Sequence, residues 1–202
     1  MKIEKLPHNL IPRLSLEEVK VSKRHKVIVL VHNVRSLYNV GAIFRTADAA
    51  AVEKIYLCGY TGTPPRKEID KTALGSTESV PWEYVADIKE VIEKFKIDGY
   101  KIAALEITTN SKRVSDLKAE DFPLAFIIGN EITGVDNDVL ELCDFSLEIP
   151  QFGIKQSINV AVAFGIGIYG VIDQYRKFTP ENELPQTPKE PSITGNGDPD
   201  ID

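Results

Sequence analysis

The chain has 202 residues, 43% of them apolar, with 24 Lys and Arg against 30 Asp and Glu and a formal charge of −6. That length fits one domain with short arms, and the apolar fraction suits a globular core. Two cysteines and three scattered histidines support neither a disulfide framework nor a metal centre, and no apolar run is long enough to span a bilayer.

In chain order, residues 1–24 form a basic arm with one short helix, for which Ser15 before Leu16-Glu17-Glu18 is the expected N-cap. No apolar core of a secretory signal is present there. Lys26–Val31 is a continuous apolar run, as in a strand buried on both faces. A helix is expected over Val40–Ala51 with Asn39 near its cap, then a strand at Lys54–Cys58 and a loop with a helical turn at Pro64–Leu74. Trp82–Val85 reads as a short strand and Asp87–Lys96 as a helix capped by Asp87 and closed by Gly99. Strands at Lys101–Ile107 and Leu124–Ile128 follow, then a short helix at Asp136–Leu142, a strand at Phe145–Ile149 and a long helix at Ser157–Phe178. Strands alternating with helices predict an α/β fold with a mainly parallel sheet flanked by helices.

From Thr179 onward the sequence is rich in Pro, Glu, Asp, Gly and Asn, so residues 179–202 are expected to be a disordered acidic tail. Six acids and one lysine between Glu181 and Asp202 account for most of the negative charge. Residues 1–26 carry seven Lys and Arg against three Glu, a balance compatible with RNA contact and equally with a solvated helix face. Cys58 and Cys143 lie in apolar strand contexts, as reduced thiols of a cytoplasmic protein do.

The long last helix is rich in small residues, with Ala161, Ala163, Gly165, Gly167 and Gly170. Each glycine costs a helix up to about 1 kcal/mol relative to alanine, so close packing should compensate. That packing is either against the chain's own sheet or against a second copy.

Three polar, glycine-bearing loops stand at the ends of apolar strands. Asn39-Val40-Gly41-Ala42-Ile43-Phe44-Arg45 follows the first, Gly129-Asn130-Glu131-Ile132-Thr133-Gly134 the fifth, and Ile149-Pro150 leads into Ser157-Ile158-Asn159-Val160. A core needs none of Arg45, Glu131 or Asn159, because burying such groups is costly unless each is paired. In a parallel sheet, the loops after the strands are where ligands bind, so one composite site is expected.

The string Asn33–Ala47 resembles motif 1 of the SpoU (TrmH-type) branch of the SPOUT RNA methyltransferases, Phe126–Val135 resembles motif 2, and Ile149–Ala163 resembles motif 3. The resemblance covers about residues 26–176, with Ile158, Ala161 and Gln151 in place of a more frequent Leu, Ser and Met. It implies a SPOUT methyltransferase domain at 25–178, with a deep trefoil knot in roughly Leu124–Tyr175. It also implies methyl transfer from S-adenosylmethionine to a ribose 2′-hydroxyl of RNA, leaving S-adenosylhomocysteine. tRNA is the favoured substrate and rRNA the alternative, and a catalytically silent RNA-binding relative is the rival reading. Homodimers with the site near the subunit interface are implied too; no metal or membrane partner is.

Residue by residue, the resemblance implies Leu105, Gly129, Ile149 and Ile158 as cofactor contacts, with core packing the other reading of the three aliphatic ones. It makes Arg45 the catalytic residue, as base or as phosphate anchor. A guanidinium holds its proton, which disfavours the first role. Glu131 either orients Arg45 or pairs with it. Asn39 contacts the ribose or caps its helix, and Ser157 and Asn159 orient substrate and cofactor or cap theirs. Without a large RNA-binding extension, Arg66, Lys67, Lys71, Lys112 and Arg113 join the arm as candidate docking residues. No Gly-x-Gly-x-x-Gly follows the first strand, no Walker lysine loop is present, and no Gly-x-Ser-x-Gly elbow surrounds Ser157.

Overall fold

A computed structural model describes residues 3–188 of the chain. Seven strands form one sheet: β1 (His25–His32), β2 (Val52–Cys58), β3 (Trp82–Val85), β4 (Lys101–Leu105), β5 (Lys112–Arg113), β6 (Leu124–Ile128) and β7 (Phe145–Glu148). Their spatial order is β3-β2-β1-β6-β4-β7-β5, and every neighbouring pair is parallel. The sheet is thus parallel throughout, and β5 is a two-residue strand that the apolar pattern did not signal, since both its residues are basic and exposed.

The central strands are apolar on both faces because helices cover both. Alternate residues of β1 serve opposite layers. Val27, Val29 and Val31 face α2 (Leu37–Ala49) and α7 (Val160–Phe178), with Phe44, Phe126, Phe164 and Ile168 between them. Ile28 and Leu30 face α5 (Ile88–Ile97) and α6 (Asn137–Leu140), with Ile92, Phe95 and Ile127 in that layer. Two short helices, α3 (Lys67–Ala73) and α4 (Ser76–Ser79), pack beside α2. Gly41 of α2 permits this, because a Cβ there would lie 2.1 Å from Thr72 Oγ1 and 2.3 Å from the Ile69 carbonyl oxygen.

Ser15 caps α1 (Leu16–Val21) through a full capping box with Glu18, as the sequence indicated. Of the segment expected to be disordered, residues 179–188 are described. Arg176 Nη1 donates to the Pro185 carbonyl, Lys23 Nζ to that of Asn182, and Leu184 is buried. Residues 189–202 lie outside the described residues.

Two helix starts differ from expectation. Helix α2 is capped by Ser36, whose Oγ accepts from the Asn39 amide at 3.3 Å, which puts Asn39 three residues inside the helix. Helix α7 is capped by Asn159, whose Oδ1 accepts from Ala161 N at 2.9 Å and Val162 N at 3.3 Å. Ser157 lies two residues before that cap and caps nothing. The α7 glycines face the chain's own side chains: a Cβ at Gly167 would meet Phe126 Cζ at 2.9 Å, and one at Gly170 would meet Val114 Cγ1 at 2.8 Å.

Candidate active site

Because every strand runs the same way, the loops after β1, β4, β6 and β7 emerge on one edge of the sheet. The loop after β6 is shaped by Asn130. Its buried amide Nδ2 donates to the Asn33 carbonyl and to Tyr60 Oη, both at 2.8 Å, while its Oδ1 accepts from Ile132 N at 2.8 Å and Thr133 N at 3.1 Å. Asn130 and Gly134 also exchange backbone hydrogen bonds. Gly129 is required by this turn: a Cβ there would sit 2.3 Å from the Gly134 carbonyl oxygen.

Glu131 ties this loop to the first one. Its carboxylate accepts from Arg35 N at 3.0 Å, Ser36 N at 2.9 Å and Asn39 Nδ2 at 2.9 Å. Burial raises its pKa, but these three donors outweigh burial and hold it below the usual carboxylate range. The third loop joins through Asn159, whose Nδ2 donates to Asn39 Oδ1 at 3.1 Å. One polar chain, Asn159 to Asn39 to Glu131, thus links all three loops. Among the described residues no hydrogen bond or ion pair joins Glu131 to Arg45, so the pairing offered for those two is not formed.

Beside this chain lies a cleft of about 240 Å³. Leu105, Gly129, Glu131, Ile149, Ser157 and Ile158 all line it, together with Glu106, Asn130 and Gln156. The four residues expected to contact a cofactor are thus brought together. The walls Leu105, Ile149 and Ile158 are apolar, the first two partly buried and the third exposed, and polar side chains and backbone of the loops form the rest. A volume of this order is near the lower end of small-ligand sites.

Arg45 does not line the cleft. It is exposed on α2, six residues beyond Asn39, and makes no hydrogen bond or ion pair among the described residues. It borders a second, wider cavity of about 1010 Å³ between the N-terminal arm, α2, α4 and α7, which also takes in Arg13, Arg24, Asp48, Tyr169 and Arg176. The expectation of a single composite site is corrected to this extent: in one chain, three loops meet at the cleft and the arginine faces elsewhere. Of the expected docking residues, Arg66, Lys67 and Lys71 are exposed at and in α3, and Arg113 is exposed on β5. Lys112 is 3.6 Å from Asp121.

Two residues that shape the site were not read from sequence. Asn33, at φ 58, accepts from Tyr60 N at 3.2 Å and donates to Asp136 at 3.3 Å. Its signal was its type, since Asn tolerates the left-handed region better than most residues. Glu106 lines the cleft and accepts from Val135 N at 3.0 Å. A lone carboxylate directly after an apolar strand was the visible cue. Among the described residues no group of three or more His, Cys, Asp or Glu is arranged for a metal, and no helix is long and apolar enough to cross a membrane. Both thiols are free, and burial pushes Cys58 up to about 12 and Cys143 up to about 11, so neither is a ready nucleophile.

Residues 26–169 match the model of the SpoU rRNA Methylase family. A tRNA (guanosine(18)-2′-O)-methyltransferase of Aquifex aeolicus is 33% identical over 160 residues, 76% of this chain and 72% of that protein. A putative TrmH family tRNA/rRNA methyltransferase of Staphylococcus epidermidis is 30% identical over 80% of this chain, which spans 63% of the Staphylococcus protein. Among solved structures, the A. aeolicus TrmH/SpoU tRNA modifying enzyme superposes with a TM-score of 0.71 at 31% identity, covering 80% of this chain and 81% of that one. An AdoMet-bound rRNA methyltransferase from Sinorhizobium meliloti gives a TM-score of 0.69 at 26% identity, covering 80% and 60%.

Proposed function

Because this chain belongs to the SpoU rRNA methylase family, we propose that it is an RNA methyltransferase that moves a methyl group from S-adenosylmethionine to a ribose 2′-hydroxyl, with tRNA as substrate. The observation that carries this reading is the cleft itself: the three family motifs, joined by Asn159, Asn39 and Glu131, close around an apolar-walled, nucleoside-sized space. The Aquifex relative, a tRNA 2′-O-methyltransferase by name, supports the substrate, and the AdoMet-bound Sinorhizobium structure supports the cofactor.

The residues present fit that cofactor. Leu105, Ile149 and Ile158 offer partly accessible aliphatic faces suited to a flat base, and the neighbouring loop backbone reads its edge. S-adenosylmethionine supplies an activated methyl on a sulfonium centre. The protein's task is then to align a hydroxyl and exclude competing water. Glu131 holds Arg35 N, Ser36 N and Asn39 in place, and so fixes the floor against which the ribose is set. Arg45 anchors the target phosphate in bidentate fashion and orients the nucleophile. The hydroxyl proton leaves to water.

The split between cleft and arginine supports a homodimer as part of the proposal. Val162, Ile166 and Tyr169 recur at helical spacing on the outer face of α7 and are half exposed. The start of α7 lines the cleft and Tyr169 lines the Arg45 cavity, so this apolar stripe runs between the two. A two-fold contact across it brings one chain's Arg45 toward its partner's cleft, since such interfaces exchange the same patch. The knot across Leu124–Tyr175 and a cytoplasmic location follow from the same family membership and belong to the same proposal.

The test is transfer of labelled methyl from S-adenosylmethionine to RNA by the purified protein. Incorporation into tRNA is expected, with none into tRNA carrying a 2′-deoxy nucleotide at the target. Equal labelling of the deoxy substrate overturns the ribose assignment. RNA binding with no cofactor uptake in calorimetry overturns the enzyme reading in favour of a silent RNA binder.

A further inference from the structure

We propose that Tyr60 and Tyr84 form a stacking platform for an unpaired segment of RNA beside the cofactor cleft. The proposal rests on the reading of this protein as an RNA enzyme and specifies which kind of RNA structure it accepts.

Tyr60 follows Gly59 at the end of β2, and its Oη accepts from Asn130 Nδ2 at 2.8 Å, within the loop that lines the cleft. Its backbone N donates to Asn33 Oδ1 at 3.2 Å. Tyr84 stands on the edge strand β3, and its Oη donates to the Gly59 carbonyl at 2.9 Å. Both rings are therefore held at the hydroxyl end and at the backbone. Their faces are unspent: Tyr60 is 61% and Tyr84 48% exposed, and neither ring pairs with another aromatic or a cation among the described residues. A large ring left in water is an unused contact surface, and one already fixed in place loses little freedom on binding.

Cations stand on the elements that follow Tyr60 in the chain and on the first loop. The segment after Tyr60 wraps the start of α2, where a Cβ at Gly62 would fall 2.2 Å from Leu37 Cδ2 and Thr72 Oγ1 donates to the Tyr38 carbonyl at 2.9 Å. Arg35, Arg66, Lys67 and Lys71 lie along this path, are exposed, and form no ion pair among the described residues. Glu68 and Asp70 share α3, so the charge is mixed and supplies only part of the attraction. The stacking faces supply the selection. Bases within a duplex are already stacked and present no face, whereas bases of a loop do. An unpaired RNA segment satisfies both rings and cations, and a protein partner would have no need of the free cations.

The experiment measures binding of the full chain to an RNA hairpin with 2-aminopurine in its loop, and to a blunt duplex of the same base composition. Expected are a change in 2-aminopurine fluorescence on the hairpin and weaker binding to the duplex. Tyr60→Ala and Tyr84→Ala should each weaken the hairpin by about 5- to 150-fold, the range for loss of one base–aromatic stack. Duplex affinity should stay at wild-type values in both, and S-adenosylmethionine uptake by calorimetry should stay at wild-type values in Tyr84→Ala, whose hydroxyl bonds only the Gly59 carbonyl. Tyr60→Phe, which keeps the ring and loses only the bond from Asn130, should bind the hairpin nearly as well as wild type. Hairpin binding by both alanine variants at wild-type strength overturns the platform, as does an equal loss on the duplex or no hairpin binding by the wild type. The two readings fail separately. Methyl transfer that ignores both tyrosines sinks the platform alone, and tyrosine-dependent hairpin binding without methyl transfer sinks the enzyme alone.

Discussion

Asn159 donates to Asn39 across 3.1 Å although 120 residues separate them in the chain. Asn39 passes the connection on to Glu131, so one carboxylate closes a polar chain through three loops. Glu131→Ala would leave Arg35 N and Ser36 N without their acceptor. Arg35 N is exposed and can turn to water, whereas an unmet buried donor costs about 1–3 kcal/mol, so the part-buried Ser36 N carries most of the cost and the first loop should loosen. Glu131→Gln should fall between Ala and wild type, because its oxygen can still accept from Ser36 N and Asn39 Nδ2 while its amide nitrogen faces Arg35 N. Thermal melts should show both losses, and methyl transfer should fall further than stability does. An active, fully stable Glu131→Gln protein would mean that the carboxylate is not the clamp described.

Arg45 should behave in the opposite way. It is exposed and bonded to nothing among the described residues, so Arg45→Ala should melt within about 0.5 kcal/mol of wild type. Methyl transfer should be lost. Because Arg45 and the cleft are apart in one chain, activity should return when the Arg45→Ala chain is co-expressed with a cleft-damaged one. Random pairing across a two-fold leaves one complete site in each mixed dimer, for about a quarter of wild-type activity. No recovery in purified mixed dimers would place arginine and cleft in the same chain during reaction.

Much of the fold was legible because strands buried on both faces leave continuous apolar runs. Lys26–Val31, Leu124–Ile128 and the first turns of each loop could be placed from those runs alone. Charged β5 left no such trace, and its two residues pair only because β7 lies alongside. Within the site, residue types showed which loops matter but not who bonds whom. Ser36 and Asn39 are both good caps, and packing of the preceding loop decided for Ser36. Glu131 reads as a partner for Arg45, yet backbone amides of the first loop claimed it. The direction of Arg45 depends on the rotation of α2 against α3 and α7, which no local pattern encodes.

Ile166 tests the dimer. It sits half exposed in the middle of the α7 stripe and contributes to neither cavity. Ile166→Asp places a charge where a partner's apolar surface is expected, and burying that charge is prohibitive. Light scattering should report a monomer, calorimetry should show cofactor uptake retained, and methyl transfer should be lost. A dimer that survives the substitution moves the interface elsewhere.

Stability should weaken on the acid side of neutrality. His25 and His32 are both buried, and burial is the main reason each pKa lies below its ordinary value of 6.5. For His25, the Ala50 carbonyl at 2.8 Å opposes the shift and Arg176 adds to it; for His32, Asp136, Asp138 and Asp87 oppose it. The unfolded chain therefore binds protons first as pH falls through about 6.5, and the folded state loses ground until its own histidines protonate. Melting midpoints should be level above about pH 7 and decline below 6.5. His32→Gln should remove part of that slope. A profile level down to pH 5 would show that these imidazoles are not held neutral.

Gly129 and Gly134 face each other across the turn that lines the cleft, and they should tolerate substitution differently. A Cβ at Gly129 would meet the backbone of Gly134 at 2.3–2.4 Å, and backbone cannot swing aside. At Gly134 the nearest obstacle is the Glu106 side chain at 2.1 Å, which can rotate, although φ +69 disfavours any residue with a Cβ. Gly129→Ala should therefore displace the whole Asn130–Val135 turn and abolish cofactor uptake. Gly134→Ala should cost about 1 kcal/mol from strain and weaken uptake only in part. Calorimetric titration of both variants with S-adenosylhomocysteine gives the comparison. If Gly134→Ala proves the more damaging, then Glu106, held in place by Val135 N, is the fixed wall of the cleft and the turn is the yielding one.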